Sequence, residues 1–295
     1  MGEEARGIAL GVVLDALVGD PRRGHPVAVF GTAATALERR VYRDSRTRGL
    51  LFTALCVGSV TALGAVLPRR TAVAAAATWA VLGGTTLARE GANMARHLAD
   101  DDIEAARRRL PHLCGRDPSN LGEAELARAT VESIAENTSD AVVAPLFWGA
   151  VAGVPGLLAY RAINTLDAMI GHRSPRYERF GWAAARLDDA ANYVPARLTG
   201  LLTALCSGRP RAALSSMVRY GSRHPSPNAG QCEAAFAGAL NVTLGGVNDY
   251  GGRLEHRPEL GDGPRPAKRD ISRAVTLARR VAWAAAALAV LARRR

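Results

Sequence analysis

Lysine is almost missing from this chain. Among its 38 basic residues Lys268 is the only lysine, so a formal charge of +11 is carried by arginine. A basic balance of this size suits nucleic acid, an anionic membrane surface or phosphorylated substrates. Nucleic acid is set aside, because no basic cluster is interleaved with aromatics and no binding motif for it is present. Aromatics are scarce at 5 %, although hydrophobic residues reach 48 %. Ala, Leu, Val and Gly dominate that share in place of β-branched and aromatic strand formers, which favours helices with small residues at close contacts. The cysteines Cys56, Cys114, Cys206 and Cys232 lie far apart with no C-x-x-C pair. That excludes a zinc-ribbon or disulfide framework and leaves reduced thiols as the default. Walker A, Rossmann glycine and G-x-S-x-G patterns are absent as well.

What the chain does have is apolar runs. Residues 50–67 and 71–88 are each 18 residues without a charge, joined by Pro68-Arg69-Arg70. At 1.5 Å per residue each is about 27 Å long, enough to cross a bilayer core, and the pair reads as a transmembrane hairpin. Residues 7–19 form a shorter first segment whose Gly7 and Gly11 make a small-residue packing face. Glu3, Glu4 and Asp15 argue against a signal peptide there. Residues 141–160 are uncharged but carry Pro145, Gly149, Gly153, Pro155 and Gly156, the pattern of a broken or re-entrant helix. Residues 275–292 add a last segment, lengthened by snorkelling arginines. The expected fold is all-α: a single integral membrane domain over 1–295, polytopic, with polar loops at 89–140 and 161–274. Seven arginines between Asp20 and Gly49, against Arg69-Arg70 at the hairpin turn, place the large helical loops in the cytoplasm.

Between the apolar runs the polar residues are patterned. An amphipathic helix is expected from about Val27 to Arg43. Asp20 and His25, in the turn before it, read as turn and capping groups or as functional ones. Asp100-Asp101-Asp102 and Arg107-Arg108-Arg109 bracket a helix in the sense its dipole favours. Asn120 with Glu123 reads as a capping box opening the next helix, and Glu233 to Leu244 as a small-residue helix. The glycines flanking Asn248-Asp249-Tyr250 read as a flexible connection.

The carboxylates of Glu132, Glu136 and Asp140 run straight into the broken segment. On a helix residues four apart share a face, and like charges there repel by a few tenths of a kcal/mol. An arginine, a metal ion or a metal-bound phosphate is expected opposite them, or else a solvated face laced by Arg128. Asp188 and Asp189 with Asn192 form a second oxygen-rich set, suited to magnesium bridging phosphate or to pairing with Arg186 and Arg197.

Several longer motifs occur in order: Asp15-Ala-Leu-Val-Gly-Asp20-Pro-Arg with His25-Pro-Val, Glu132-Ser-Ile-Ala-Glu136-Asn137-Thr-Ser-Asp140 with Pro145-Leu-Phe-Trp148, and Tyr160-Arg161-Ala-Ile-Asn164-Thr-Leu-Asp167. They continue with Gly171-His172, Tyr177-Glu178-Arg179-Phe-Gly-Trp182, Asp188-Asp189-Ala-Ala-Asn192-Tyr193 and Ser226-Pro-Asn228-Ala-Gly230. Over nearly its whole length the chain resembles the adenosylcobinamide-phosphate synthases of cobalamin biosynthesis, the integral membrane CobD/CbiB proteins. Where members of that family commonly have Tyr-Lys, this chain has His172-Arg173.

The resemblance implies an ATP-dependent ligase of the cytoplasmic membrane. Its reaction would join adenosylcobyric acid to (R)-1-amino-2-propanol or its O-phosphate, with ATP as co-substrate and Mg²⁺. On this view Glu132, Glu136 and Asp140, with Asp188 and Asp189, hold the metal, and Asn137, Asn164, Asn192 and Asn228 serve the nucleotide. Arg161, His172, Arg173 and Arg176 meet phosphate or carboxylate groups, and Asp167 or Glu178 takes the amine proton. The expected partners are the corrinoid, the amine and the lipid bilayer, with no nucleic acid; a homo-oligomer is compatible. Two alternatives keep the fold without this chemistry: a non-catalytic regulator or scaffold, and a transporter built around the broken helix.

Overall fold

The structure, a computed structural model, describes residues 2–21, 24–172, 174–249 and 254–294. In chain order its helices are α1 (Glu3–Val18), α2 (Pro26–Val41), α3 (Arg46–Val66), α4 (Thr71–Val81), α5 (Gly84–Ala99) and α6 (Ile103–Arg109). They continue as α7 (Glu123–Thr138), α8 (Ala144–Leu166), α9 (Trp182–Cys206), α10 (Pro210–Tyr220), α11 (Ala229–Leu240) and α12 (Lys268–Ala292). Strands β1 (Leu244–Asp249) and β2 (Leu254–Leu260) form an antiparallel hairpin. The chain divides into two compact units, Met1–Gly83 with Ala144–Asn192 and Ala285–Arg295, and Gly84–Val143 with Tyr193–Ala284.

Four helical stretches are long and apolar enough to cross a membrane: Arg46–Val66, Thr71–Ala99, Glu123–Gly171 and Lys268–Ala292. The mostly helical, membrane-type fold read from composition is therefore present. On α3 the side chains of Leu51, Leu55, Leu63 and Val66 are exposed, a contiguous apolar face of the kind lipid covers. The first apolar segment is not among the four stretches: α1 has 16 residues, about 24 Å of helix. It packs instead on α4, where Gly7 and Gly11 let the backbone close onto Ala74 and Thr78.

In the first unit α8 is the centre. α3 and α4 both pack on it, and α4 also packs on α1, so the two helices of the expected hairpin each find α8. His25 caps α2, its Nδ1 accepting the Val27 N–H at 3.2 Å. The break in α8 falls at Gly153, whose φ of 65° lies in the left-handed region that glycine alone adopts at low cost. Carbonyls freed by such a break need donors inside a membrane. Arg293 donates to Ala150 O at 3.3 Å and Val151 O at 3.4 Å, and pairs with Glu4 through its Nε at 2.8 Å.

In the second unit α7 is buried along most of its length and packs against α5 and α11. Asp102 caps α6, accepting the Ala105 N–H at 2.9 Å, and Arg107, Arg108 and Arg109 close it, as the charge pattern predicts. The cap of α7 differs from expectation. The helix starts at Glu123, and Glu125 reaches back to the Gly122 N–H at 3.1 Å, while Asn120 lies outside it. Two further readings are corrected. α11 begins at Ala229 and ends at Leu240, where Asn241 caps it in a left-handed conformation. Of the glycine-flanked stretch expected to be a flexible connection, the residues up to Asp249 belong to β1, paired Val247 to His256 and Asn248 to Glu255, while Tyr250, Gly251 and Gly252 lie outside the described residues. Glycines and a two-sided polar pattern hid this strand, because β propensity is set by what a strand packs on.

Candidate functional site

The acidic face of α7 meets its counter-charges in the second unit. Glu132, only 4 % exposed, accepts from Arg116 at 2.6 Å on one carboxylate oxygen. Its other oxygen accepts from Arg128 at 3.1 Å and from the Gly245 backbone N–H at 2.7 Å. Arg128, one turn earlier, also donates to Gly245 O at 2.9 Å, Val247 O at 2.7 Å and the Asn248 side chain at 2.9 Å. This buried pair thus pins β1 to α7. Such pairs hold only when their remaining donors and acceptors are satisfied, and β1 supplies the partners.

Beside the pair lies a cavity of about 190 Å³, lined by Arg116, Glu132, Glu136, Glu233 and Arg257 together with Cys114 and Ser133. They come from four places in the chain: the loop before α7, α7 itself, α11 and β2. Arg257 is held by Glu255 at 3.1 Å and by His224, whose Nε2 lies 3.1 Å from its guanidinium. Glu233 is 1 % exposed. Its carboxylate faces His224 Nε2 at 3.7 Å. Burial, then the charges of Glu132 and Glu136, push its carboxyl well above the usual carboxylate range.

His224 is shifted the other way, down from 6.5 to about 4, by burial and then by Arg257. Between those values the unfolded chain binds the extra proton, so this residue's contribution to stability is present above about pH 6.5 and is lost as pH falls toward 4. The loss amounts to roughly 3 kcal/mol. Glu233, raised in the native state, works in the opposite sense, so the histidine is read from a difference. The unfolding midpoint of the wild type should fall more steeply from pH 7 to pH 4 than that of His224→Gln. Parallel curves would refute the assignment.

Of the residues singled out in the sequence, the structure brings Glu132 and Glu136 together at this cavity. Asn137 donates to Ser133 O at 2.9 Å, and Asp140 lies in a widened turn, Ser139–Val143, beyond α7. Asn228 accepts from Arg197 at 3.3 Å.

The others belong to the first unit. There Arg161 donates to Asn164 at 3.3 Å and to Val81 O, Asn164 donates to Asp188 at 3.5 Å, and Asn192 donates to Asp188 at 2.9 Å and accepts from Tyr160 at 2.8 Å. Asp189 faces Arg186 at 3.6 Å instead. Asp167 opens the widened turn Asp167–Gly171, His172 stacks edge-on against Tyr177, and Glu178 is exposed. Arg176 donates to the buried Glu38 at 2.9 Å and lies 4.1 Å over the Tyr42 ring. Arg173 lies outside the described residues. Sequence reasoning missed Arg116, His224, Glu233 and Arg257 as site residues. Glu233 did leave a signal, as the one carboxylate in the small-residue helix Ala229–Leu240, since a fully buried glutamate is rare unless paired.

Comparison with known proteins gives a consistent answer. A family model described as CobD/Cbib protein matches residues 8–278. The "Cobalamin biosynthesis protein CobD" of Mycobacterium tuberculosis is 57 % identical, over 97 % of this chain and 95 % of the relative. The protein so named in Stutzerimonas stutzeri is 45 % identical over 90 % of each chain, and that in Rhodobacter capsulatus 43 % identical over 88 % of this chain and 86 % of the relative. No solved structure matches. On a family match spanning nearly its whole length, with full-length relatives at this identity, the chain belongs to the CobD/Cbib family.

Proposed function

We propose that this protein acts in cobalamin biosynthesis as an ATP-dependent ligase. It joins a carboxylate of adenosylcobyric acid to (R)-1-amino-2-propanol or its O-phosphate through an amide bond. Family membership supports the pathway. The observation that carries the chemistry is the cavity in which Arg116 and Arg257 line the same space as Glu136 and Glu233. A carboxylate does not expel oxide when an amine attacks, so it must first be activated, and phosphoryl transfer from ATP to give an acyl phosphate is the natural route. Guanidinium groups stabilise charge that develops on phosphate and acyl oxygens. The attacking amine must also lose a proton, and Glu136, which makes no hydrogen bond among the described residues, is placed to receive it.

Mg²⁺ would neutralise nucleotide phosphates in such a reaction. Among the described residues no three carboxylate, imidazole or thiol side chains are grouped to hold a metal. Glu132 has both oxygens engaged by arginines and a backbone N–H. The residues present therefore do not fit a resident metal cage, and in this reading the ion arrives with its nucleotide. We place the protein in the cytoplasmic membrane with its large polar loops on the cytoplasmic side. Labelling a single cysteine introduced at position 185 from the outer face would refute that orientation.

Purified protein in detergent, given ATP, Mg²⁺, adenosylcobyric acid and either amine, should yield the amide by mass spectrometry. No product with either amine would favour a scaffold or transporter. Glu136→Gln should lower the rate about 100-fold or more with the melting temperature retained, and an unchanged rate would remove Glu136 from the chemistry.

A further inference from the structure

Between Asp189 and Glu233 the chain carries no acidic residue, while Arg197, Arg209, Arg211, Arg219 and Arg223 give it five positive charges. This stretch holds the end of α9, the turn Ser207-Gly208-Arg209 and α10. The two helices run back along each other, for a Cβ at Gly200 would meet Met217 Sδ at 2.5 Å, and these positions are about equally far from the turn. The other side of α10 packs on α11, where Gly238 admits Ala212 and Ser216. Outward from the Gly200 and Met217 contact the apolar side chains are uncovered. Val218 is 80 % and Leu205 78 % exposed, and Leu201 and Leu214 are exposed as well. Spacing four makes one ridge of each pair, and the antiparallel packing sets both ridges on the same side of the contact. Lone exposed leucines are ordinary, but four on one side of a hairpin form a patch.

The charges around this patch lack counter-ions. Asp262 is matched by Arg219 at 3.1 Å and by the Tyr220 hydroxyl, and Arg223 lies 4.8 Å over the Tyr220 ring. Arg209 and Arg211 are exposed at the turn, with no ion pair among the described residues. The depth of the turn is set by α12. Arg280 is near enough to Cys206 to act on its thiol, and it is the last charge before the apolar run 281–292 in a stretch able to cross a membrane. The turn therefore lies level with the polar edge of that run.

We propose that the hairpin of α9 and α10 is an interfacial element: its face of Leu201, Leu205, Leu214 and Val218 seats between headgroups and acyl chains, and Arg209 and Arg211 take anionic phospholipid headgroups. Apolar residues rimmed by arginine are the composition of segments that lie in the interface. Each basic residue near an anionic leaflet adds to the attraction, and phosphate supplies the counter-charge that this stretch lacks. A second copy of the chain, applied through a two-fold axis, would instead bring the same arginines against their own kind. The inference rests on the membrane-type fold and is independent of the ligase reading.

The test uses the full-length protein in lipid nanodiscs that contain a trace of phosphatidylglycerol or phosphatidylcholine with a diazirine in the acyl chain near the headgroup. Photolysis is followed by peptide mass spectrometry, and the exposed face of α3 at Leu51 and Leu55 serves as the internal reference. Both lipids should label the peptides covering residues 198–219, phosphatidylglycerol at least about fivefold more than phosphatidylcholine. That comparison needs no variant. Replacing Arg209 and Arg211 together by Gln should bring the ratio near one. Replacing Leu205 and Val218 together by Asp should lower labelling by both lipids at least about fivefold, with α3 labelled as before, which shows the variant inserted and folded. An unlabelled hairpin beside a labelled α3 would overturn the proposal, and a dimeric mass by light scattering would then assign the face to a second copy. Equal labelling by the two lipids, or an unchanged ratio in the arginine variant, would overturn it as well.

Discussion

Glu132→Ala is expected to lower the stability of the second unit by about 3–5 kcal/mol, the cost of leaving a buried charge without its partner. The size follows from what the side chain holds: Arg116, Arg128 and the Gly245 N–H all donate to it. Truncation leaves two buried guanidinium groups facing each other and removes the Gly245 N–H bond, one of the ties between β1 and α7. The disturbance reaches Arg257 through the pairing of β1 with β2. Thermal unfolding in detergent should show a large drop in midpoint, and protection of the Gly245 and Val247 amides from hydrogen exchange should disappear. Glu132→Gln keeps an acceptor for Gly245 and should lose less. An alanine variant with the wild-type midpoint would mean that the carboxylate is not a structural keystone, and would return it to the list of metal ligands.

Gly49→Val is expected to be as damaging in the first unit. A Cβ at position 49 would lie 1.8 Å from the carbonyl oxygen of Phe180, and backbone cannot move aside as a side-chain tip can. Phe180 is fully buried, with its ring 5.3 Å from Phe52 and 5.2 Å from Tyr42, so moving it disturbs the cluster that seats the residues before α9 on α3. Overpacking of this kind costs about 3 kcal/mol or more when the backbone must shift. The folded yield after detergent extraction should collapse. Gly58 lies on the same helix with nothing within 4 Å of the added Cβ, so Gly58→Ala should be neutral or gain up to about 1 kcal/mol from helix propensity. Equal behaviour of the two variants would show that α3 does not press on Phe180.

Much of the helical layout was legible because it depends on local rules. Apolar runs of membrane length, the Asp102 cap, the arginine-closed α6 and the break among the glycines and prolines of α8 each follow from residues close in sequence. The hairpin was not legible, since its strands are stabilised by Arg128 and Glu132, more than a hundred positions earlier. For the same reason α3 and α4, which look like partners in sequence, both packed on α8. Glu132 shows the limit most clearly. Its spacing from Glu136 called for a cation opposite, and the spacing alone left open whether that would be a metal ion or an arginine.

By itself, then, the sequence determined the mostly helical, membrane-type character of this protein, its family and the acidic face of α7, since periodicity, run length and motif order are properties of neighbouring residues. Tertiary structure alone decided which charges meet. It closed Glu132 with Arg116, Arg128 and β1, and it gathered Glu136, Glu233 and Arg257 from α7, α11 and β2 around one small cavity. Burial and Coulomb attraction act between groups that folding brings within a few ångströms, whatever their distance along the chain.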